Sequence, residues 1–201
     1  MRTIKKVASH IFIDGFGGMT QGLFATLIIG TMIQQIGLLI GGSTGNVIYL
    51  LGKAAAALTS AGIGVGVAVK YGESPLVTVS AAVAAMVGGY AGKITGGTFF
   101  VDGNAVLAGP GEPLGAFIAA FAGITCGHLV SGKTKVDIIV TPVITIGAGS
   151  VVGLLVGPPI SQMMTGLGSI INWATEQRPF IMGIVVSVVM GMVLTLPISS
   201  A

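Results

Sequence analysis

The chain has 201 residues, of which 53% are hydrophobic and only 7% charged, whereas a soluble domain carries about 25% charged residues to keep itself solvated. That composition excludes a water-soluble globule. The net charge of +3 comes from basic residues scattered between apolar runs and not from one stripe, so it gives no sign of nucleic acid and none is expected as a partner.

A signal peptide would explain one apolar run near the N-terminus but not the five that follow it. An outer-membrane barrel would alternate in segments of about ten residues, and these runs are continuous. A bilayer core asks for about 20 mostly apolar residues per helix. The fold expected is therefore an all-α integral membrane protein of about six transmembrane helices. It forms a single membrane domain, with sub-bundles 1–92 and 109–201 joined by a polar segment, 93–113. The 34 glycines suit tight helix packing, because small residues let backbones approach where lipid supplies no hydrophobic drive.

Residues 1–10, with Arg2, Lys5 and Lys6, read as an interfacial lead-in. The first span covers 16–40. Gln34 and Gln35 lie inside it, and two adjacent amides cannot both face lipid. At least one is expected to face the bundle, bonding a neighbouring helix for about 0.6–2 kcal/mol or touching a solute. A charge-free loop, 41–46, makes a tight helical hairpin with the second span, 47–69. Lys53 is close enough to the end of that span to snorkel to the interface. After Lys70 and Glu73 comes the third span, with Pro75 in its first turn, where a missing N–H costs nothing.

Segment 93–113 is too polar to span and too apolar for a simple loop. Two readings stand: a re-entrant element buried in protein or lining a wet cavity, or an amphipathic connector on the surface. The fourth span covers 114–130, with Cys126 as a small buried hydrophobe. Lys133 and Lys135 mark the next turn. The fifth span, 138–156, is expected to stop at Gly157-Pro158-Pro159. An amphipathic interfacial helix anchored by Trp173 follows, and then a sixth span from Arg178-Pro179 to about Pro197. Counting Lys and Arg in the short loops puts the N-terminus on the cytoplasmic side.

Ionisable groups at membrane depth are functional candidates, since a charge at a helix centre costs at least about 2.5 kcal/mol. Asp102 and Glu112, with Asn104 between them, suit a polyhydroxylated solute, because carboxylates accept hydrogen bonds from hydroxyls. The alternative for both acids is an ordinary solvated loop. His128, near the cytoplasmic end of the fourth span, could donate to a hydroxyl or act as a proton site. No phosphate-binding loop, dinucleotide fingerprint or zinc spacing occurs. No catalytic residue, cofactor or metal is therefore expected.

Three pieces carry a family resemblance: the stretch from Gly109-Pro110-Gly111-Glu112-Pro113 to Gly123, then Val156-Gly157-Pro158-Pro159-Ile160 followed by Trp173, and Gly183 through Met190-Gly191-Met192 to Pro197. Together they resemble enzyme IIC, the membrane permease subunit of the bacterial phosphotransferase system, in its fructose and mannitol branch. The chain is also similar to stand-alone IIC-like permeases, or to the N-terminal part of a longer one. The resemblance implies a homodimer in the bacterial cytoplasmic membrane. It would bind a sugar or polyol and present it to a cytosolic phosphorylated IIB-type subunit. In the fructose-type pattern an Asp precedes the last proline and a basic residue follows it, whereas this chain has Leu196-Pro197-Ile198. That departure favours a second reading, a non-phosphorylating secondary transporter, channel or membrane regulator on the same architecture. A third is a purely structural assembly subunit.

Overall fold

The computed structural model describes residues 10–101, 104–107, 109–175, 182–184, 186–188 and 191. Helix α1, Ile13–Ile40, is long and apolar enough to cross a bilayer. It contains a π-helical turn at Phe24–Ile28, where one extra residue rotates everything beyond it. Gly41 and Gly42 both hold positive φ, 66° and 65°, a conformation glycine adopts without steric cost. They reverse the chain in two residues, so α2 (Gly42–Ala57) begins earlier than the expected six-residue loop allowed.

Helix α2 breaks at Leu58, and α3 (Thr59–Lys70) continues at 53° to it. Ser74 caps α4 (Pro75–Gly89), accepting from Val77 N–H at 3.4 Å with proline in the first turn. A short α5 (Ala91–Thr95) and a two-residue antiparallel hairpin, β1 (Phe100–Val101) with β2 (Asn104–Ala105), fill the expected polar segment. The chain returns through α6 (Pro113–Val130) and α7 (Asp137–Thr175).

The chain is an all-α integral membrane protein, with α1, α6 and α7 each able to span alone and the bent α2–α3 pair able to make a fourth span if it crosses as one unit. The third expected span is shorter than anticipated: α4 has 15 residues, about 22 Å at 1.5 Å per residue, against about 30 Å of hydrocarbon. The expected sixth span falls mostly outside the described residues; positions 182–184, 186–188 and 191 are helical.

A second difference concerns the fifth span, which does not stop at Gly157. Helix α7 runs 39 residues through Pro142, Pro158 and Pro159, taking in the stretch expected to form a separate interfacial helix. Proline removes a backbone bond and crowds the preceding turn, but packed membrane helices tolerate it when neighbours support the site. Here Gly157 lies against Ala91 and Gly88, and Ile160 just beyond the prolines is buried.

The core lies among the first half of α1, α3, α4, α6 and α7. Met19, Ile63, Val67, Val77, Phe117 and Ile124 fill it, and Phe16 stacks on Phe117 at 4.7 Å. Between these side chains the backbones nearly touch: a Cβ on Gly18 would lie 2.5 Å from the Gly66 carbonyl oxygen. The second half of α1 and α2 form an arm, packed on each other through Gly30, Gly37 and Gly52.

Candidate functional site

The segment 90–111 leaves α4 and comes back to it. Three hydrogen bonds pin its return. Glu112 N–H donates to Gly89 O at 2.7 Å, Ser60 Oγ donates to Pro110 O at 2.9 Å, and the Tyr90 hydroxyl donates to Gly109 O. Such a close return needs glycine. Gly111 holds φ 76°, and a Cβ there would overlap Ser60 Oγ.

This clamp sets Glu112 at the N-cap of α6, yet its side chain makes no capping bond. The half-buried carboxyl instead borders a cavity of about 270 Å³, together with Gly89, Gly92, Lys93, Pro110, Gly111 and Ser161. A second cavity, about 420 Å³, shares Gly92 and Ser161 with it and adds Thr95, Pro158, Gln162 and Thr165. The two adjoin, and together they form a cleft of mixed polar and apolar lining in the size range of small-molecule sites, about 300–1,000 Å³. Burial pushes the Glu112 carboxyl above the ordinary carboxylate range, and the positive charge of Lys93 opposes that rise. Lys93 Nζ lies 5.3 Å from the centroid of the Tyr90 ring, which packs in turn on Phe99 at 5.4 Å.

Chemically the cleft combines a carboxyl that accepts when ionised and can donate when protonated, a cation, and the hydroxyl and amide groups of Ser161, Gln162, Thr165 and Thr95. That set suits a neutral solute rich in hydroxyls. Among the described residues no group of three or more His, Cys, Asp or Glu could hold a metal ion.

Of the residues singled out from sequence, only Glu112 lies in this cleft. Asp102 falls outside the described residues. Asn104 is exposed on β2, paired in register with Val101, and does not line either cavity. Gln34 is half-buried and donates to Gly30 O at 3.4 Å within its own helix, while Gln35 is exposed on the arm. His128 sits at the far end of α6, about 24 Å from Glu112 by helical rise, and its Nδ1 lies 2.9 Å from Glu73. It borders a separate cavity of about 400 Å³ with Tyr71, Glu73, Phe121 and Thr125.

Sequence reasoning missed Ser161, Gln162 and Thr165 because it ended the fifth span at the prolines. The i, i+4 spacing of Ser161 and Thr165 was the available signal, since it puts both hydroxyls on one helical face. Tyr90 and Ser60 left no such signal, because their partners lie 19 and 50 residues away.

Residues 13–201 match the protein family described as Phosphotransferase system, EIIC. No curated protein and no solved structure matches the chain.

Proposed function

Because the chain belongs to the EIIC family, the membrane permease subunits of the phosphotransferase system, we propose that it binds a sugar or polyol in the cleft beside Glu112. The observation that carries this reading is the Glu112 carboxyl itself: half-buried, uncapped, and set among Lys93, Ser161 and Gly111. A carboxylate held this way accepts hydroxyl hydrogen bonds at a fixed place, and Gln162 and Thr165 extend the contact along the cleft. The positive charge of Lys93 opposes the rise that burial imposes on the Glu112 carboxyl. On this reading Asp102 and Asn104 remain further candidates for contact with the solute.

The rest of the reading follows the fructose and mannitol branch. The protein works as a homodimer in the cytoplasmic membrane with its N-terminus inside. On this reading a cytosolic phosphorylated IIB-type subunit supplies the phosphoryl group. Segment 90–111 then acts as a re-entrant element. Its two ends meet at Gly89 and Glu112, which supports a loop that enters and leaves on one side.

The test is uptake of a panel of labelled hexoses and polyols by cells lacking their own transporters, with and without the cytosolic phosphotransfer proteins. Phosphotransfer-dependent uptake that Glu112→Gln weakens, through a raised KM, is the expected result. Uptake that ignores the cytosolic proteins favours the non-phosphorylating transporter, to which the Leu196-Pro197-Ile198 departure points. No uptake or binding of any hydroxylated solute removes the reading.

A further inference from the structure

The arm formed by Ile29–Ile40 and α2 packs chiefly on itself and reaches the bundle at two places, both irregular. One is the π-helical turn Phe24–Ile28 in α1. The other is the break at Leu58, whose φ of −87° and ψ of 9° leave the helix and set α3 at 53° to α2. Helix breaks and π-turns are where a helix bends most easily, because the regular ladder is already interrupted there. Two such points side by side at the base of one arm make a hinge.

The break also exposes carbonyls of the last turn of α2, which lose their intrahelical partners. One of them, Ala57 O, accepts the Tyr90 hydroxyl at 3.3 Å. The same hydroxyl donates to Gly109 O in the loop that carries Glu112. A phenol has one proton, so the hinge and the loop share a single donor. Tyr90 is 1% exposed, and its backbone N–H is tied to Met86 O at 3.1 Å. The ring is therefore a fixed post between the base of the arm and the Glu112 loop. Ser60 lies beyond the break, on α3, and bonds the loop through Pro110 O.

We infer that the arm pivots at Phe24–Ile28 and Leu58, and that Tyr90 is the positioning residue through which the pivot and the Glu112 loop set each other's place. A swing that withdraws Ala57 O leaves the Tyr90 proton wholly to Gly109 O and tightens the loop. A loop drawn away by a solute leaves it to Ala57 O and steadies the arm. The physical requirement for coupling is an element whose arrangement both sites bias, and the shared hydroxyl meets it. The inference rests on the reading of the cleft as the solute site, to which it adds a moving part.

The test uses the full chain with Cys126→Ala in lipid nanodiscs, with no solute present. Spin-label pairs are placed at Val47 and Val151 for the arm, Leu107 and Val151 for the loop, and Val79 and Val151 as a control within the bundle, all exposed positions. Tyr90→Phe is expected to shift or broaden both the arm and the loop distance distributions and leave the control unchanged. Ser60→Ala is expected to alter the loop pair alone. A Tyr90→Phe effect on the loop only, or on neither pair, overturns the coupling, as does an equal arm response to Ser60→Ala. A change in the control pair marks Tyr90 as a plain packing residue and overturns it too. Since the measurement needs no solute, it stands apart from the uptake experiment, whose failure would remove the binding reading and leave the hinge intact.

Discussion

The backbone N–H of Glu112 donates to the carbonyl of Gly89 at 2.7 Å, so the segment between α4 and α6 closes on itself with the candidate binding carboxyl at the seam. Anything that opens the seam moves Glu112 before it disturbs the helices.

Gly111→Ala should open it. Position 111 has φ 76° and a Cβ there would overlap Ser60 Oγ, whereas Gly72, with φ 70°, has nothing within 4 Å of an added Cβ. Both substitutions carry the strain of a positive φ, about 1 kcal/mol or more, but only the first also breaks the Ser60 contact. Thermal unfolding in detergent should show Gly111→Ala clearly less stable than Gly72→Ala. Equal losses would mean that Ser60 yields freely and the clamp is soft.

Glu112→Gln keeps the shape of the side chain and removes the charge. Solute affinity should fall by about 1.5–3 kcal/mol, the usual worth of a charge-assisted hydrogen bond, or about 10- to 150-fold in Kd. The pH dependence has a definite sign. Burial raises the carboxyl pKa, and hydroxyls donate best to the ionised form. Affinity should therefore hold at high pH and weaken as pH falls through the raised pKa, at a higher pH than a free carboxylate would show. Titration calorimetry against pH should show this step in the parent and a flat profile in Glu112→Gln. A step that survives the substitution would place the titrating group elsewhere.

How far the sequence could be read differs between helices and site. Composition and run length were enough for the membrane class, and Ser74-Pro75 and Glu112-Pro113 mark the starts of α4 and α6 because proline fits a first turn. The hairpin was legible too, but its turn needs only Gly41 and Gly42, since two positive-φ residues already reverse the chain. The passage of α7 through Pro158-Pro159 was not legible. Local propensity ends a helix there, and only packing against Ala91 and Gly88 overrides it. The clamp was hidden for a related reason: Ser60 in an apolar run reads as one more small packing residue until the fold brings Pro110 to it.

His128→Ala should leave solute affinity unchanged. His128 is 71% exposed and lies about 24 Å from Glu112 by helical rise, so its contact with Glu73 is open to solvent on the His128 side and contributes about 0–1 kcal/mol. A small loss of thermal stability with an unaltered Kd is the expected pair of results. A loss of affinity comparable to that of Glu112→Gln would require the two ends of α6 to act on one solute.

The last prediction concerns sidedness. Glu112 and His128 lie at opposite ends of α6, a helix able to span alone. Glu73 is bonded to His128, so the α3–α4 loop lies at one end and the 90–111 segment at the other. The basic loop residues Lys70, Lys133 and Lys135 gather at the His128 end, which the positive-inside rule predicts to be cytoplasmic. With Cys126, the only cysteine, replaced by alanine, single cysteines can be placed at the exposed positions Lys70 and Val106. Intact cells are then treated with a membrane-impermeant maleimide. Val106→Cys should be labelled from outside, and Lys70→Cys only after the membrane is permeabilised. The reverse pattern would invert the orientation and put the Glu112 cleft on the cytoplasmic side. Labelling of both from outside would mean that α6 does not cross the bilayer, and the cleft would then have to be re-sited relative to the membrane before any transport role is assigned to it.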